Sequence, residues 1–252
     1  MNILQAIILS IVQGITEFLP ISSSGHLAVL QIFWQLPDPP IVFNALLHFG
    51  TLGAILTVFY QEIKKILQKK NWKLIKLIVI GTIPAAIFGF FFQSIIETQF
   101  SSLKFIGFSF LITALFLILT KLFKIIPKYL KMEDLSYSDA LIIGIAQAAA
   151  LFPGISRSGL TISTGFFRKL KPEIAYKFSF LLAVPVILGA FVLQIPSLIH
   201  QGQNNYFIYI LGALISLSIG IISLKILEKI LKKGKLFWFS FYLIILSMII
   251  LI

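Results

Sequence analysis

The sequence has no cysteine among its 252 residues and only nine acidic side chains. The absence of cysteine excludes disulfides and thiolate metal sites, and it leaves the redox compartment undetermined. Charged residues are also scarce, at 12% of the chain, whereas 58% is hydrophobic and the mean hydropathy is +1.00. This composition excludes an ordinary soluble domain. No Lys or Arg precedes the first apolar stretch, so we expect no cleaved signal peptide.

Cations outnumber acids, with 21 Lys and Arg and a net charge of +12. A basic protein can bind nucleic acid, but these cations form short clusters between apolar runs. The positive-inside rule places such clusters in cytoplasmic loops. We therefore predict an all-α polytopic membrane protein that contacts membrane lipids and no nucleic acid.

Six apolar runs are long enough to cross a membrane, and two further apolar regions are interrupted. The six spans are predicted at residues 41–60, 74–96, 105–123, 178–199, 206–224 and 236–252. The interrupted regions, 3–34 and the one broken at Pro153-Gly154, are predicted to be re-entrant helical hairpins. Such backbone is tolerated at membrane depth only where protein or a watery cavity covers it. Nearly all cations fall on one side, so both termini should lie outside, with the hairpins entering from opposite faces.

The two interrupted regions repeat at an offset of 134 residues without a gap. The offset aligns Gln13 with Gln147, Phe18 with Phe152, Ser22 with Ser156, Ser24 with Ser158, and Gly25 with Gly159. A repeat preceded by three spans must be inverted in the membrane, and inverted repeats with broken helices place their site near the midplane. We predict one integral membrane domain over 1–252, with repeats at 1–130 and 135–252.

The first interrupted region contains a carboxylate in apolar surroundings. Gln13 and Glu17 are four residues apart and share a helix face, and Pro20 cannot continue that helix. A buried carboxylate must be paired, metal-bound or protonated. Glu17 is therefore a candidate functional group, with a structural partner for Arg157 or a hydroxyl as the alternative.

Hydroxyls and an imidazole follow this carboxylate. Ser22, Ser23 and Ser24 are natural caps for a new helix. His26 lies one turn after Ser23, where it could serve as acid or base, or be a satisfied buried histidine. On the first span, Asn44 and His48 are also four apart, and polar residues satisfied within the bundle are the favoured interpretation.

The second interrupted region carries a cation where the first has Ser23. Arg157 lies in the segment Pro153-Gly-Ile-Ser-Arg-Ser-Gly-Leu-Thr161. Arginine binds phosphate through two N–H groups, and nearby glycines and hydroxyls can add backbone N–H groups and caps. A helix cap with one ion-paired arginine is the alternative. The candidate phosphate-binding residues are Arg157, Ser156, Ser158, Gly154, Thr161 and Ser22.

The segments from Gln13 to His26 and from Pro153 to Thr161 resemble the paired signature of the undecaprenyl-diphosphate phosphatase family, the bacitracin-resistance proteins of bacteria. His48–Thr51 and Gly81–Pro84 are similar to that family too, so the resemblance covers essentially the whole chain. It implies removal of the terminal phosphate from the C55 polyprenyl diphosphate at the outer face of the cytoplasmic membrane. That reaction recycles the carrier lipid for peptidoglycan synthesis and lowers bacitracin sensitivity.

The resemblance also implies dependence on a divalent cation, Mg²⁺ or Ca²⁺, with Glu17 and Gln13 as candidate ligands. The neutral Gln13 leaves a two-carboxylate metal site open to question. The resemblance points to Ser23 as the nucleophile. His26 could take the proton of its hydroxyl or pass it on through Glu17. Attack by an activated water is the alternative. The inverted repeat alone would equally suit a lipid-phosphate flippase or an anion transporter. The oligomeric state is open, with a homodimer as one option.

Overall fold

The computed structural model describes residues 1–36, 41–122, 127–129, 131–200 and 206–252. Apart from one isolated bridge between Tyr129 and Leu170, the regular elements in these ranges are helical. One of them is a 3₁₀ turn over Met132–Asp134. In chain order the α-helices are α1 (Ile3–Thr16), α2 (Ser23–Phe33), α3 (Ile41–Val58), α4 (Tyr60–Gln68), α5 (Trp72–Phe91), α6 (Gln93–Gln99), α7 (Leu103–Leu122), α8 (Tyr137–Ala149), α9 (Arg157–Phe167), α10 (Pro172–His200), α11 (Tyr206–Lys232) and α12 (Trp238–Leu251).

Four helices are long and apolar enough to cross a membrane, namely α5, α7, the Pro172–Ser197 part of α10, and α11. A fifth candidate is α3 continued by α4, but the two are bent by 69°. The predicted span over 236–252 is the 14-residue helix α12. Among the described residues, length and composition thus give four or five spans where the sequence predicted six. The sequence also predicts a turn over 36–40 and a loop over 200–205, and both lie largely outside the described residues.

The bend after α3 follows from a change in the chemistry of the chain. α3 contains no Lys, Arg, Asp or Glu, whereas α4 carries Glu62, Lys64 and Lys65 among its nine residues. Charged side chains are costly at membrane depth, so this segment turns aside instead of extending the span.

The cation-rich segments lie together at one end of the bundle. The Lys177 ammonium is 2.8 Å from a Glu62 oxygen, and the Asn71 amide donates to Glu133 at 2.8 Å. The Tyr176 hydroxyl donates to the Leu224 carbonyl at 3.0 Å. These contacts join the ends of α4, α10 and α11 to the segment before α8, so the bundle has one basic end.

The interrupted helices enter this bundle from opposite ends. α1 runs beside α11 in the same direction, since Gly14 packs against Ile219 and Phe18 packs against Gly220. α8 runs in the same way beside α5, since Gly144 lies against Gly81 and Leu151, just after α8, lies nearest Gly89. α5 begins at the basic end and α11 begins at the other. The carboxyl ends of α1 and α8 therefore meet inside the bundle.

Candidate active site

The site forms where the turn after α1 meets the turn after α8. Ser158 Oγ of the second turn donates to the Leu19 carbonyl of the first at 3.2 Å. Gly25 and Gly154 are so close that a Cβ on Gly25 would lie 2.8 Å from the Gly154 Cα. Gly154 has φ +90°, a conformation that favours glycine. The two hairpin tips are thus interlocked through their backbones.

The break between α1 and α2 brings Ser23 back toward Glu17. α1 ends at Thr16, four residues before Pro20. Ser22 caps α2 by accepting from the Gly25 N–H at 3.3 Å, and it adopts φ +69°, which is strained for a residue with a side chain. The predicted capping role of Ser22 is confirmed, and its strained backbone sets the position of Ser23.

Glu17 is the centre of a buried hydrogen-bond cluster and is only 8% exposed. Ser23 Oγ donates to Glu17 Oε2 at 2.5 Å, and Gln13 Nε2 donates to the same oxygen at 3.1 Å. Arg157 Nη2 donates to Glu17 Oε1 at 2.8 Å. The carboxylate therefore has partners from both hairpins, and it faces the hydroxyl predicted to be the nucleophile.

Arg157 is the first residue of α9 and crosses from the second hairpin to the first. Its guanidinium lies 5.2 Å from the centre of the Phe180 ring, within the range of a cation–π contact. Its Nη1 atom is buried and has no hydrogen-bond partner among the described residues. An unsatisfied cationic N–H group beside a candidate nucleophile is suited to bind an anion.

The other predicted phosphate ligands have protein partners. Ser156 caps α9 by accepting from the Gly159 N–H at 3.1 Å, and Ser158 is held by Leu19 as described. Thr161 Oγ1 lies 2.7 Å from the Arg157 carbonyl and 2.5 Å from Ser179 Oγ. Ser156 and Ser158 flank Arg157 in the chain, Thr161 contacts its carbonyl, and Gly154 and Ser22 lie in the two turns that meet here. Phosphate binding by them stays a prediction.

His26 turns away from Ser23 and toward α12. Its Nδ1 lies 2.7 Å from the Ser22 carbonyl and its Nε2 lies 2.7 Å from the Tyr242 hydroxyl. Because a carbonyl only accepts, Nδ1 carries a proton, and Nε2 of the neutral imidazole accepts from the tyrosine. The proposed proton transfer between Ser23 and His26 therefore has no direct contact in this structure and stays a prediction.

Two residues outside the predicted site reach it. His48 of α3 places Nε2 at 3.5 Å from Glu17 Oε2, and Tyr242 of α12 contacts His26. The sequence favoured His48 as a polar residue satisfied within the bundle, and no sequence pattern indicated Tyr242. Both contacts depend on how separate helices pack, which periodicity does not reveal.

The donor atoms at Glu17 fit a hard divalent cation. No group of three or more His, Asp or Glu side chains suited to a metal occurs among the described residues. However, Gln13 Oε1 is a buried acceptor without a partner in the described chain, and it belongs to the amide that bonds Glu17. Mg²⁺ commonly binds one or two carboxylates together with substrate phosphates. Glu17 and Gln13 oxygens fit that pattern.

Comparison with known proteins identifies relatives of this chain. Residues 6–249 match the family model described as "Bacitracin resistance protein BacA". The chain is 43% identical to the undecaprenyl-diphosphatase of Carboxydothermus hydrogenoformans, over 100% of this chain and 97% of that protein. It is 44% identical to that of Thermosipho africanus and 39% identical to that of Thermotoga maritima, each over 96% of this chain and 97% of the relative. These names support the phosphatase prediction and not the flippase or transporter alternative.

Proposed function

The chain belongs to the bacitracin resistance protein BacA family, and on that premise we infer that it is an undecaprenyl-diphosphatase. It is a membrane hydrolase that converts undecaprenyl diphosphate to undecaprenyl phosphate and inorganic phosphate. The contact of Glu17 with both Ser23 and Arg157 carries the inference at the level of the site. That contact joins an acceptor for a proton, a hydroxyl and an anion-binding cation in one buried cluster.

Arg157 binds the diphosphate in this proposal. Its Nη1 is buried without a partner in the described chain, so an incoming phosphate oxygen would satisfy it. The ion pair with Glu17 holds the guanidinium plane in place before substrate arrives. Ser22, Gly154, Ser156, Ser158 and Thr161 shape the surrounding turns, and the start of α9 favours an anion there.

Ser23 attacks the terminal phosphorus. As the Oγ–P bond forms, the bond from that phosphorus to the bridging oxygen breaks, and undecaprenyl phosphate leaves. Glu17 Oε2, 2.5 Å away, takes the hydroxyl proton. Water then forms a bond to phosphorus, the Oγ–P bond breaks, and Glu17 returns the proton to Ser23. Direct attack by a water that Glu17 activates is the alternative route to the same products.

A divalent cation, Mg²⁺ or Ca²⁺, is part of the proposal, held by Glu17 and Gln13. When bound, such an ion neutralises charge on the phosphate oxygens. The fit rests on the oxygen donors of the two side chains, one of which has no protein partner in the described chain.

The location proposed is the bacterial cytoplasmic membrane, with six spans, two re-entrant hairpins and a site that opens to the outside. The basic end of the bundle supports this orientation, since basic loops are retained in the cytoplasm. The inverted repeats at 1–130 and 135–252 are supported by helix bounds, because α2 shifted by 134 residues coincides with α9. Assembly into a homodimer stays a prediction, which cross-linking in membranes would measure.

The experiment is phosphate release by the purified chain in detergent. Wild-type protein should release phosphate from undecaprenyl diphosphate in detergent. Because detergent has no two compartments for a transporter to connect, this release would require an enzyme. Ser23→Ala should abolish release, whereas Ser24→Ala should retain much of it. Ser24 is the matched control because its hydroxyl contacts Ser22 Oγ, at 3.3 Å, whereas the Ser23 hydroxyl contacts Glu17. Substantial turnover by Ser23→Ala would favour direct attack by water.

A further inference from the structure

His48 presents a lone pair to the carboxylate of Glu17. Its Nδ1 lies 2.8 Å from the Asn44 backbone carbonyl, which can only accept a hydrogen bond. The proton of a neutral imidazole is therefore on Nδ1, and Nε2 is an acceptor. Nε2 lies 3.5 Å from Glu17 Oε2, which is also an acceptor. Two acceptor atoms thus face each other, one on the buried Glu17 and one on His48, whose side chain is 31% exposed.

A positive species between these atoms would relieve their repulsion. The candidates are a second proton on His48 and a metal cation. Gln13 supplies a third acceptor nearby, because its Nε2 bonds Glu17 Oε2 while its Oε1 is buried without a partner in the described chain. Three acceptors of this kind, one of them buried and without a partner in the described chain, indicate a cation more than a proton.

The geometry of His48 is that of a metal ligand. Histidine ligands characteristically donate their other ring N–H to a backbone carbonyl or a carboxylate, as Nδ1 does to Asn44. Two donor atoms at right angles and about 2.1–2.4 Å from one ion are about 3.0–3.4 Å apart. The observed 3.5 Å between Nε2 and Oε2 needs only a small adjustment to reach that separation.

We propose that His48 Nε2 is a ligand of the divalent cation, together with Glu17 Oε2 and Gln13 Oε1. The proposal rests on the cation included in the proposed function, and it adds a nitrogen to an otherwise oxygen-only set. An imidazole ligand favours transition ions such as Zn²⁺ or Ni²⁺ relative to Ca²⁺. His26 has no such role, because both of its nitrogens have protein partners.

Manganese provides the test, because ¹⁴N bound to Mn²⁺ modulates its electron spin echo. Full-length protein in detergent is titrated with Mn²⁺ alone, and the bound ion should show ¹⁴N modulation. His48→Gln should lose the modulation and raise the Mn²⁺ dissociation constant at least about tenfold, since even groups outside the ligand shell have effects of that size. His26→Gln is the matched control and should retain both properties.

Labelling the wild-type protein with ¹⁵N-histidine repeats the test without any substitution that could impair folding. The ¹⁴N frequencies should disappear from the labelled protein. Bound Mn²⁺ without histidine coupling, or unchanged affinity in His48→Gln, would assign His48 to an imidazolium pair with Glu17 and overturn the proposal. Absence of Mn²⁺ binding would overturn it together with the cation at Glu17.

Phosphate release in the same preparations separates this proposal from the proposed function. Wild-type protein that hydrolyses undecaprenyl diphosphate but shows no nitrogen coupling contradicts only the role of His48. Protein that binds Mn²⁺ through His48 but releases no phosphate contradicts the hydrolase and leaves the metal site standing.

Discussion

At the scale of single residues, the fork of the Arg157 guanidinium matters more than its charge. Arg157→Lys keeps a cation, but a lysine cannot contact Glu17 and a phosphate oxygen in the same plane. We expect kcat to fall on the order of 10² to 10³, as when one preorganised electrostatic contact is removed from an active site. Phosphate release in detergent measures this.

Arg168→Lys is the matched control for that substitution. Arg168 is the other arginine of the chain, and its Nε donates to Asp139 at 2.6 Å, away from Glu17. Activity within about threefold of wild type is expected, because lysine can keep a point contact with the carboxylate. Equal loss in both variants would show that replacing either arginine impairs the protein generally, and not through the contact of Arg157 with Glu17.

Tyr242 should affect the reaction only moderately, because it contacts His26, which has no direct contact with Ser23 in this structure. Tyr242→Phe removes the hydroxyl that donates to His26 Nε2 but retains the ring that stacks on the imidazole. One such hydrogen bond contributes about 0.5–1.5 kcal/mol, so kcat should fall no more than about tenfold. Steady-state kinetics check this, and a loss as large as that of Ser23→Ala would make Tyr242 part of the chemistry.

The sequence predicted the grouping of Glu17, Ser23 and Arg157 because the three lie in the aligned segments of a repeat. It could not predict that His48 lies at Glu17, or that His26 faces Tyr242. Those contacts join α1 to α3 and α2 to α12. Which face each helix turns inward depends on the packing of the whole bundle.

At the scale of elements, the contact between the hairpin tips depends on Gly25. A Cβ there would lie 2.7 Å from the Phe110 ring and 2.8 Å from the Gly154 Cα, and backbone cannot yield as a side chain can. We expect Gly25→Ala to destabilise the protein by about 1–3 kcal/mol, as overpacking does, and to lower activity. Thermal unfolding in detergent measures the first effect.

Gly189→Ala is the control for this substitution. Gly189 lies in α10, and a Cβ there would meet nothing within 4 Å. Alanine favours a helix over glycine, so this variant should be as stable as wild type or more so. A Gly25→Ala protein as stable as Gly189→Ala would contradict the close packing of the tips.

The start of α8 is held by a buried carboxylate. Burial alone would raise the pKa of Asp139, but hydrogen bonds from Ser136 and Arg168 outweigh it and hold that pKa below its usual value. The pair therefore stabilises the fold above about pH 4 and loses its effect as the pH falls through the lowered pKa. Asp139→Asn should cost about 1–3 kcal/mol at pH 7, since Arg168 remains 40% exposed.

The difference in melting temperature between wild type and Asp139→Asn is the measurement. It should narrow as the pH is lowered, because acid also neutralises Asp139 in the wild type. A gap that stays constant down to pH 3 would show that shape, and not charge, holds this end of α8.

Helix ends were predicted less well than helix breaks. Pro20 and Pro153-Gly154 correctly marked the interruptions between α1 and α2 and between α8 and α9. The lysine cluster after residue 60 predicted a cytoplasmic loop, whereas the structure has the separate helix α4 there. The shortness of α12 was missed because apolar composition continues on both sides of its first turn.

At the scale of the whole molecule, orientation is the testable property. Both termini should lie outside, and Lys69 and Lys232 should be cytoplasmic, since the basic end of the bundle should stay inside. Single cysteines introduced into this cysteine-free chain report their side through labelling of intact cells with an impermeant reagent. If the reagent labelled a cysteine at position 69 but not a C-terminal tag, the predicted topology would be wrong.

The link between Glu17 and Arg157 has a consequence for biosynthesis. The two residues are 140 positions apart in the chain. At about 5–20 residues per second, the ribosome adds Arg157 on the order of 10 s after Glu17. During that interval the first hairpin holds a carboxylate whose cationic partner does not yet exist, and an unpaired charge is costly in lipid. The nascent first half should therefore stay with the insertion machinery until the second half arrives, and no catalyst exists before then.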